Sequence, residues 1–164
     1  MSGEPGTGPE FTHLDESGAA RMVDVSAKDV SARTAVASGF VRLSAVCVAA
    51  LRAGDVPKGD ALAVARIAGI QGAKRTPDLV PLCHPIALHA VAVTLTVEDT
   101  GVAITATVRT ADRTGVEMEA LTAVSVAGLA LIDMIKAIDP AAVITDIKVE
   151  EKTGGKTGCW RRDT

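Results

Sequence analysis

Strict alternation of apolar and polar residues in the middle of the chain constrains the fold more than any other feature. Over residues 89–97, Val and Leu at odd positions alternate with Ala and Thr. A turn at residues 98–101 follows, and the same period resumes over residues 102–108. A period of two places alternate side chains on opposite faces of a strand, and a short turn joins antiparallel neighbours. The sequence therefore predicts a β-hairpin with one buried face.

Helix and strand signals on both sides of this hairpin predict an α+β fold. Weak alternation predicts a strand over residues 33–43, and Ser44 and Asp60 are suited to cap two following helices. A long apolar helix over residues 116–138 and a strand over 143–149 complete the pattern. The order β-α(α)-β-β-α-β is typical of a ferredoxin-like βαββαβ sandwich, with an antiparallel sheet and the helices on one face.

The second helix, over residues 61–75, is apolar nearly all round, so we expect it to be buried. It contains Gly69 and Gly72, where another backbone could approach closely. The face of the sheet that no helix covers would carry Ala, Thr and Val side chains, and such a surface usually contacts another protein chain. We therefore expect a homo-oligomer.

A single domain is predicted from residue 11 to residue 164. Residues 1–10 are rich in Gly and Pro and are expected to form a disordered tail. Residues 152–164 hold several cations around three glycines. This segment is either a flexible basic flap that folds over a polyanion or a solvated carboxy-terminal tail.

Composition argues against several classes of partner. The chain has a net charge of −3 and only 2% aromatic residues, so it offers neither general attraction to a phosphate backbone nor rings for base stacking. Three cysteines without a CxxC motif suggest neither a disulfide framework nor a zinc site. Charges in the long helix make it a poor membrane span, and the amino terminus lacks a signal-peptide pattern. We expect a cytoplasmic protein that binds neither nucleic acid nor membranes.

The loop KRTPDLVPLCHP, residues 74–85, contains three prolines that fix an irregular backbone. Near its end, the imidazole of His84 could serve as a general acid or base, or as a hydrogen-bond donor. It could equally cap a backbone carbonyl. A nucleophilic pair of Cys83 and His84 is disfavoured, because adjacent side chains seldom point at each other.

The long helix carries charged residues at both ends. Glu117 and Glu119 lie in its first turn, where carboxylates ordinarily stabilise the helix dipole. Asp133 and Lys136 lie three residues apart among apolar neighbours, which predicts a paired and partly buried couple, either structural or functional. Glu119 and Asp133 are separated by about 21 Å along the helix. If both line a site for one small ligand, two subunits build that site.

Cations gather at loops and at the ends of elements, although the chain is net acidic. They are Lys58, Lys74, Arg75, Lys152 and Lys156. Local positive charge on an acidic protein indicates a discrete anionic ligand such as a phosphate ester. The glycine-rich run is not a Walker A motif, because Glu150 stands where the first glycine is required.

Four segments carry a resemblance to a known family: MVDVSAK at 22–28, KGDALAVARIAGIQGAKRTPDLVPLCHP at 58–85, TGVEMEALTAVSVAGLALIDMIKAID at 114–139 and EEKTGGKTG at 150–158. Together they resemble the molybdenum cofactor biosynthesis protein C family, the cyclic pyranopterin monophosphate synthases. The resemblance implies a lyase that converts 3',8-cyclo-7,8-dihydroguanosine 5'-triphosphate, here called cyclic dihydro-GTP, into cyclic pyranopterin monophosphate and releases pyrophosphate. It also implies a homo-hexamer, a trimer of dimers with active sites at subunit interfaces.

The resemblance further implies roles for single residues. The catalytic positions are matched by Asp133 and its companion Lys136. The substrate-contacting positions are matched by Leu82, Cys83, His84, Met118 and Glu119, with Glu117 beside them. The basic positions near the triphosphate are matched by Lys58, Lys74, Arg75, Lys152 and Lys156. No protein-bound metal or cofactor is implied, although Mg²⁺ can accompany the triphosphate. The alternative is an inactive paralogue that acts as an oligomeric nucleotide- or pterin-binding module.

Overall fold

The computed structural model describes residues 13–156 and 158–163, so the predicted tail at residues 1–10 lies outside the described residues. Five strands and four helices are found within them. In chain order they are β1 (Ser31–Arg42), α1 (Ala45–Ala53), α2 (Ala61–Ala73), α3 (Thr76–Leu79), β2 (Ala90–Glu98), β3 (Gly101–Asp112), α4 (Glu117–Ile135), β4 (Val143–Thr153) and β5 (Cys159–Arg161).

The strands form one antiparallel sheet in the order β2-β3-β1-β4-β5. β1 is central and pairs with β3 without interruption, from Ser31 opposite Asp112 to Arg42 opposite Gly101. Helix α4 packs on β1, β3 and β4, and α2 packs on α4 and β2. The order of the first four strands is that of the split βαβ arrangement, so the predicted ferredoxin-like α+β sandwich is confirmed.

Local signals located most elements correctly. The predicted hairpin is β2 and β3, with Val93, Leu95 and Ile104 on the buried face. Both predicted caps are present: the Ser44 hydroxyl accepts a hydrogen bond from the amide of Cys47, and the Asp60 carboxylate accepts one from the amide of Ala63. These side chains satisfy amides that the first helical turn leaves without partners.

Several element boundaries differ from the predicted ones by one to four residues, and two of them bear on the site. The long helix ends at Ile135, three residues before the predicted end. Strand β4 continues to Thr153, and β5 pairs back onto it, so the described part of segment 152–164 contains a β-hairpin. The side chain of Lys152 therefore has a defined position in the sheet, whereas the flexibility of the segment stays a prediction.

Helices α2 and α4 approach closely because glycine leaves room at their contact. A Cβ atom at Gly69 would lie 2.9 Å from the carbonyl oxygen of Ala123, and one at Gly72 would lie 2.8 Å from Cβ of Val126. The close approach expected at these glycines is confirmed. The expected burial of the whole helix is wrong: Val64 and Ile67 are 42% and 60% exposed, because they face away from α4 and the sheet.

Helix α4 is long and apolar enough to cross a membrane by length and composition alone. More than half of it is nevertheless buried inside the protein, where Ala123, Ala127 and Leu131 are fully enclosed. Small side chains on this face let the helix lie close to both the sheet and α2. The apolar character of α4 is thus explained by its place in the core.

We predict that Gly69→Val destabilises the protein by about 1–3 kcal/mol, the usual cost of overpacking a core. The added side chain would have to displace the backbone of α4 at Ala123, and the better helix propensity of valine recovers only a fraction of this cost. Urea unfolding followed by circular dichroism measures the change. Arg66→Ala, at an exposed position of the same helix, is the control and should shift stability by less than about 0.5 kcal/mol. Equal stability of Gly69→Val and the parent would contradict the packing described here.

Candidate active site

Nine of the thirteen predicted site residues form two groups at opposite ends of α4. The N-terminal cluster consists of Leu82, Cys83, His84, Glu117, Met118 and Glu119. The C-terminal cluster consists of Lys58, Asp133 and Lys136. Glu119 and Asp133 are about 21 Å apart along the continuous helix, given a rise of 1.5 Å per residue. Within one described chain the two clusters therefore do not form a single site for a small ligand.

All six residues of the N-terminal cluster line one cavity of about 410 Å³. Residues 82–84 follow α3 and approach from one side, and the first turn of α4 supplies residues 117–119. A third wall comes from Val23, Val25 and Lys28 of the MVDVSAK segment. Three of the segments that carry the family resemblance are distant in sequence but line this one cavity together.

Glu119 is the buried acid of this cavity, with only 3% of its surface exposed. Burial raises the pKa of its carboxyl group above the usual value, against a smaller lowering by a hydrogen bond from the Glu119 backbone amide, and the negative charge of Glu117 adds a still smaller increase. Removal from water disfavours the ionised form of an acid. A sheltered carboxyl group with a raised pKa is suited to hydrogen bonding with a polar ring and to exchanging protons with it.

Cys83 is unsuited to act as a nucleophile. Burial raises the pKa of its thiol, and the nearby carboxyl group of Glu119 raises it further. The thiol therefore stays protonated at neutral pH, whereas nucleophilic attack requires the thiolate. This agrees with the sequence argument against a Cys83 and His84 nucleophilic pair.

Of the two roles that the sequence left open for His84, the structure shows the bond to a backbone carbonyl, and a role toward a ligand stays a prediction. Nε2 of His84 lies 2.6 Å from the carbonyl oxygen of Val23, and a carbonyl only accepts, so Nε2 carries the donated hydrogen. This hydrogen bond holds the MVDVSAK segment against the cavity. The ring also lines the cavity, so the same side chain can contact a ligand.

Beside this cavity lies a second, smaller one of about 180 Å³, which we call the basic pocket. Its charged walls include the four cations Lys28, Arg33, Arg113 and Lys152. The two cavities share Lys28, Thr114, Gly115 and Glu117, so they are direct neighbours. Lys152 Nζ lies 2.9 Å from Glu117 Oε1, so an ion pair stands at the boundary.

Hydrogen bonds to the backbone hold two of these cations in place. The Arg33 side chain donates to the carbonyl oxygens of Asp112 and Arg113, at 3.0 and 3.2 Å. Nε of Arg113 donates to the carbonyl oxygen of Lys28 at 2.8 Å. A guanidinium group fixed in this way can receive an anion without losing further side-chain freedom. The basic pocket is thus preorganised for a phosphate group.

Sequence reasoning missed three of the four cations in this pocket. Only Lys152 was predicted, whereas Lys28, Arg33 and Arg113 were assigned no role. Lys28 lies in the MVDVSAK segment, so the resemblance contained a signal for it. Arg33 lies in β1, and Arg113 lies in the loop after β3. A single charge is common in both kinds of position, so neither residue indicated a site.

In the C-terminal cluster, one carboxylate binds two ammonium groups. Asp133 Oδ1 lies 2.7 Å from Nζ of Lys136, and Oδ2 lies 2.9 Å from Nζ of Lys58. The hydrogen bond from Lys136, followed by that from Lys58, lowers the pKa of Asp133 to about 2. At neutral pH the carboxylate is therefore ionised and pairs with both lysines at once.

The predicted partial burial of this couple is wrong for the described chain. The side chains of Asp133 and Lys136 are 57% and 59% exposed. They project from the end of α4 away from the core, although their neighbours in sequence are apolar and mostly buried. The pairing itself is confirmed, and Lys58 is an additional partner that lies 75 residues away in sequence.

The remaining predicted cations lie outside both cavities. Lys74 and Arg75 are exposed after α2, and Arg75 borders a shallow groove with Asp78 and Leu79. Lys156 is exposed in the turn between β4 and β5. Their roles near a triphosphate stay predictions.

Among the residues that the structure describes, no three His, Cys, Asp or Glu side chains are grouped as a metal site would require. The expectation that Mg²⁺ arrives with the triphosphate is untested and stays a prediction.

Comparisons with known proteins identify relatives over most of the chain. Residues 22–155 match the MoaC family. A Streptomyces coelicolor protein named cyclic pyranopterin monophosphate synthase is 68% identical over 152 residues, which are 93% of this chain and 89% of that protein. A Nocardioides protein of the same name is 66% identical over 155 residues, 93% and 95% of the two chains. Cyclic pyranopterin monophosphate synthase 2 of Mycobacterium tuberculosis is 61% identical over 153 residues, 93% and 92% of the two chains.

We predict that Glu119→Gln stabilises the protein at pH 8 and has little effect at pH 4. Because the pKa of Glu119 is raised in the folded state, the stability that this group contributes is present below its ordinary value of about 4.5 and is lost as pH rises through the raised value. Glutamine removes the buried charge, so the thermal midpoint at pH 8 should increase by about 2–4 °C.

Thermal unfolding at the two pH values measures this effect. The control is Glu98→Gln, an exposed position at the end of β2, which should leave the midpoint unchanged at both pH values. A Glu119→Gln protein that is less stable than the parent at pH 8 would contradict the assignment of a costly buried carboxylate.

Proposed function

Because this chain belongs to the MoaC family, we propose that it is a cyclic pyranopterin monophosphate synthase, a lyase of molybdenum cofactor biosynthesis. Relatives with that name are 56–68% identical over at least 92% of the chain. The family and the enzymatic function that the sequence resemblance implied are thereby confirmed, and the alternative of an inactive binding module is not favoured.

The observation that carries a substrate assignment is that a sheltered acidic cavity and a basic pocket lie side by side and share walls. Cyclic dihydro-GTP has a polar ring system at one end and a triphosphate at the other. The ring fits the cavity of Glu119 and His84, whose groups can donate and accept hydrogen bonds. The triphosphate fits the basic pocket, where Arg33, Arg113 and Lys152 supply positive charge.

The basic pocket supports closure of the cyclic phosphate. A hydroxyl oxygen of the substrate forms a bond to the α-phosphorus, and the bond from that phosphorus to the pyrophosphate oxygen breaks. The hydroxyl proton leaves to a base, and negative charge develops on the departing pyrophosphate. Cations placed where this charge develops stabilise the transition state. We assign this task to the four cations of the basic pocket.

The C-terminal cluster supports the proton transfers of ring formation. Breaking a carbon–nitrogen bond of the former imidazole and building the pyranopterin requires protons to be delivered and removed at defined atoms. Lys136 and Lys58 are suited to deliver them, since both ammonium groups point at the Asp133 carboxylate. Asp133, ionised and paired on both sides, orients the two lysines and accepts a proton only after one of them has given its own.

A complete site requires two subunits in this proposal. The N-terminal cluster of one chain and the C-terminal cluster of its partner would face the same substrate, because one helix keeps its own two clusters about 21 Å apart. The helix layer also exposes apolar side chains that an interface would cover, namely Val64, Ile67, Leu79 and Leu129. The homo-hexamer of three such dimers, the cytoplasmic location and the absence of nucleic acid partners belong to this proposal.

We predict that the protein converts cyclic dihydro-GTP into the pterin product with release of one pyrophosphate, and that Asp133→Asn lowers kcat at least about 100-fold. The amide lacks the charge that keeps both lysines oriented. Pyrophosphate release and pterin formation are measured together. Asp99→Asn is the matched control, since this carboxylate also forms an ion pair, with Arg52 at 2.8 Å, but lies in the exposed β2 to β3 turn. Binding without product would favour an inactive module, and near-normal turnover by Asp133→Asn would refute its catalytic role.

The two-subunit site predicts complementation between inactive variants. When Glu119→Gln and Asp133→Asn chains are mixed and reassembled, half of the dimers are mixed, and each mixed dimer has one site free of both substitutions. Activity should recover to about a quarter of the parental value, whereas each variant alone stays inactive. Activity assays before and after reassembly measure this. No recovery in mixed oligomers verified by native mass spectrometry would show that each chain builds its own site.

A further inference from the structure

The carboxy-terminal strand β5 lies beyond the family match, which ends at residue 155, yet it pairs with the end of β4 that lines the basic pocket. Trp160 is the direct partner of Lys152 across the β4 and β5 pair. Directly opposed residues in an antiparallel pair share a face, with Cβ atoms about 4.5–5.5 Å apart. The side chain of Trp160 therefore stands next to that of Lys152, on the side of the sheet where Lys152 reaches Glu117.

The neighbourhood of Trp160 is held by several contacts. The backbone amide of Arg162 donates to the carbonyl oxygen of Glu150, and its Nε donates to that of Val149, both at 2.8 Å. The same guanidinium group lies 5.6 Å from the centroid of the Trp160 ring, within the range of a cation–π interaction. Trp160 is 39% exposed, but this contact with Arg162 restricts its ring on one side.

Trp160 borders a groove of about 350 Å³ together with Glu117, Val149 and Lys152. Glu117 and Lys152 also line the basic pocket, so their ion pair lies between the groove and the pocket. A phosphate that enters the pocket would compete with Glu117 for the Lys152 ammonium. Lys152 would then pair with the phosphate in place of Glu117, and this change of partner would take place directly beside the indole ring of Trp160.

We propose that Trp160 is a positioning residue for Lys152, whose ring restricts the flexible lysine stem and keeps its ammonium aimed at the polyphosphate in the basic pocket. The inference rests on the proposed function, since it takes a polyphosphate as the ligand of this pocket. A lysine side chain has several rotatable bonds, so a wall that removes competing rotamers strengthens binding without contacting the ligand. Through Lys152, Trp160 thus contributes both to substrate affinity and to stabilisation of the departing pyrophosphate.

Steady-state kinetics with cyclic dihydro-GTP test this role. Trp160→Ala should lower kcat/KM about three- to fivefold, and Trp160→Phe should restore the parental kcat/KM because it restores a ring. Arg161→Ala is the control, since Arg161 pairs with Glu151 on the opposite face of β5 and should leave kcat/KM unchanged. The proposal is overturned if Trp160→Ala leaves kcat/KM unchanged, if Trp160→Phe fails to restore it, or if Arg161→Ala lowers it equally, which would indicate a general loss of the hairpin.

Fluorescence gives a second test that does not depend on turnover. Trp160 is the single tryptophan of a chain without tyrosine, so its emission reports on this groove alone. Titration of the full protein with inorganic pyrophosphate should change the emission with a saturating curve, and Lys152→Met should abolish the change. An emission that pyrophosphate does not alter, or that changes equally in Lys152→Met, would refute the coupling of Trp160 to Lys152. Failure of product formation with a normal fluorescence response would instead count against the proposed function alone.

Discussion

The close contact between α2 and α4 is the constraint on which the rest of the structure depends. Gly69 and Gly72 leave no side chain between the helices, and alanine on α4 fills the remaining space. A chain with almost no aromatic residues has few large side chains with which to fill a core, so it must bring backbones together instead. This contact fixes which face of α4 is covered. The uncovered ends of the helix then carry both clusters of functional side chains.

The two ends of α4 illustrate opposite ways of controlling a carboxyl group. Glu119 is buried and beside another acid, so its pKa is raised, whereas Asp133 is exposed and beside two ammonium groups, so its pKa is lowered to about 2. Environment decides the role of each acid, since the two side chains have nearly the same chemistry. One acid is prepared to share a proton with a ligand, and the other to hold two cations in place.

Local patterns in the sequence predicted most of the fold but only part of the site. The β2 and β3 hairpin and the caps at Ser44 and Asp60 were predictable because their signals lie within a few residues. The basic pocket was not, because Arg33 reaches carbonyl groups about 80 residues away and nothing near it in sequence marks that contact. The exposure of Asp133 was also missed, since it depends on which face of the helix the sheet and α2 cover. The family resemblance identified residues of both clusters, but it did not predict which other residues they contact.

The continuity of α4 has a further consequence in the proposed dimer. The helix is unbroken over its 19 residues, and each of its ends would belong to a different active site. A stiff rod with its ends in two sites is a mechanical link between them, so a shift of the first turn on substrate binding would move the lysine cluster at the far end. A substitution that displaces α4 in one subunit would therefore alter both sites of the proposed dimer at once.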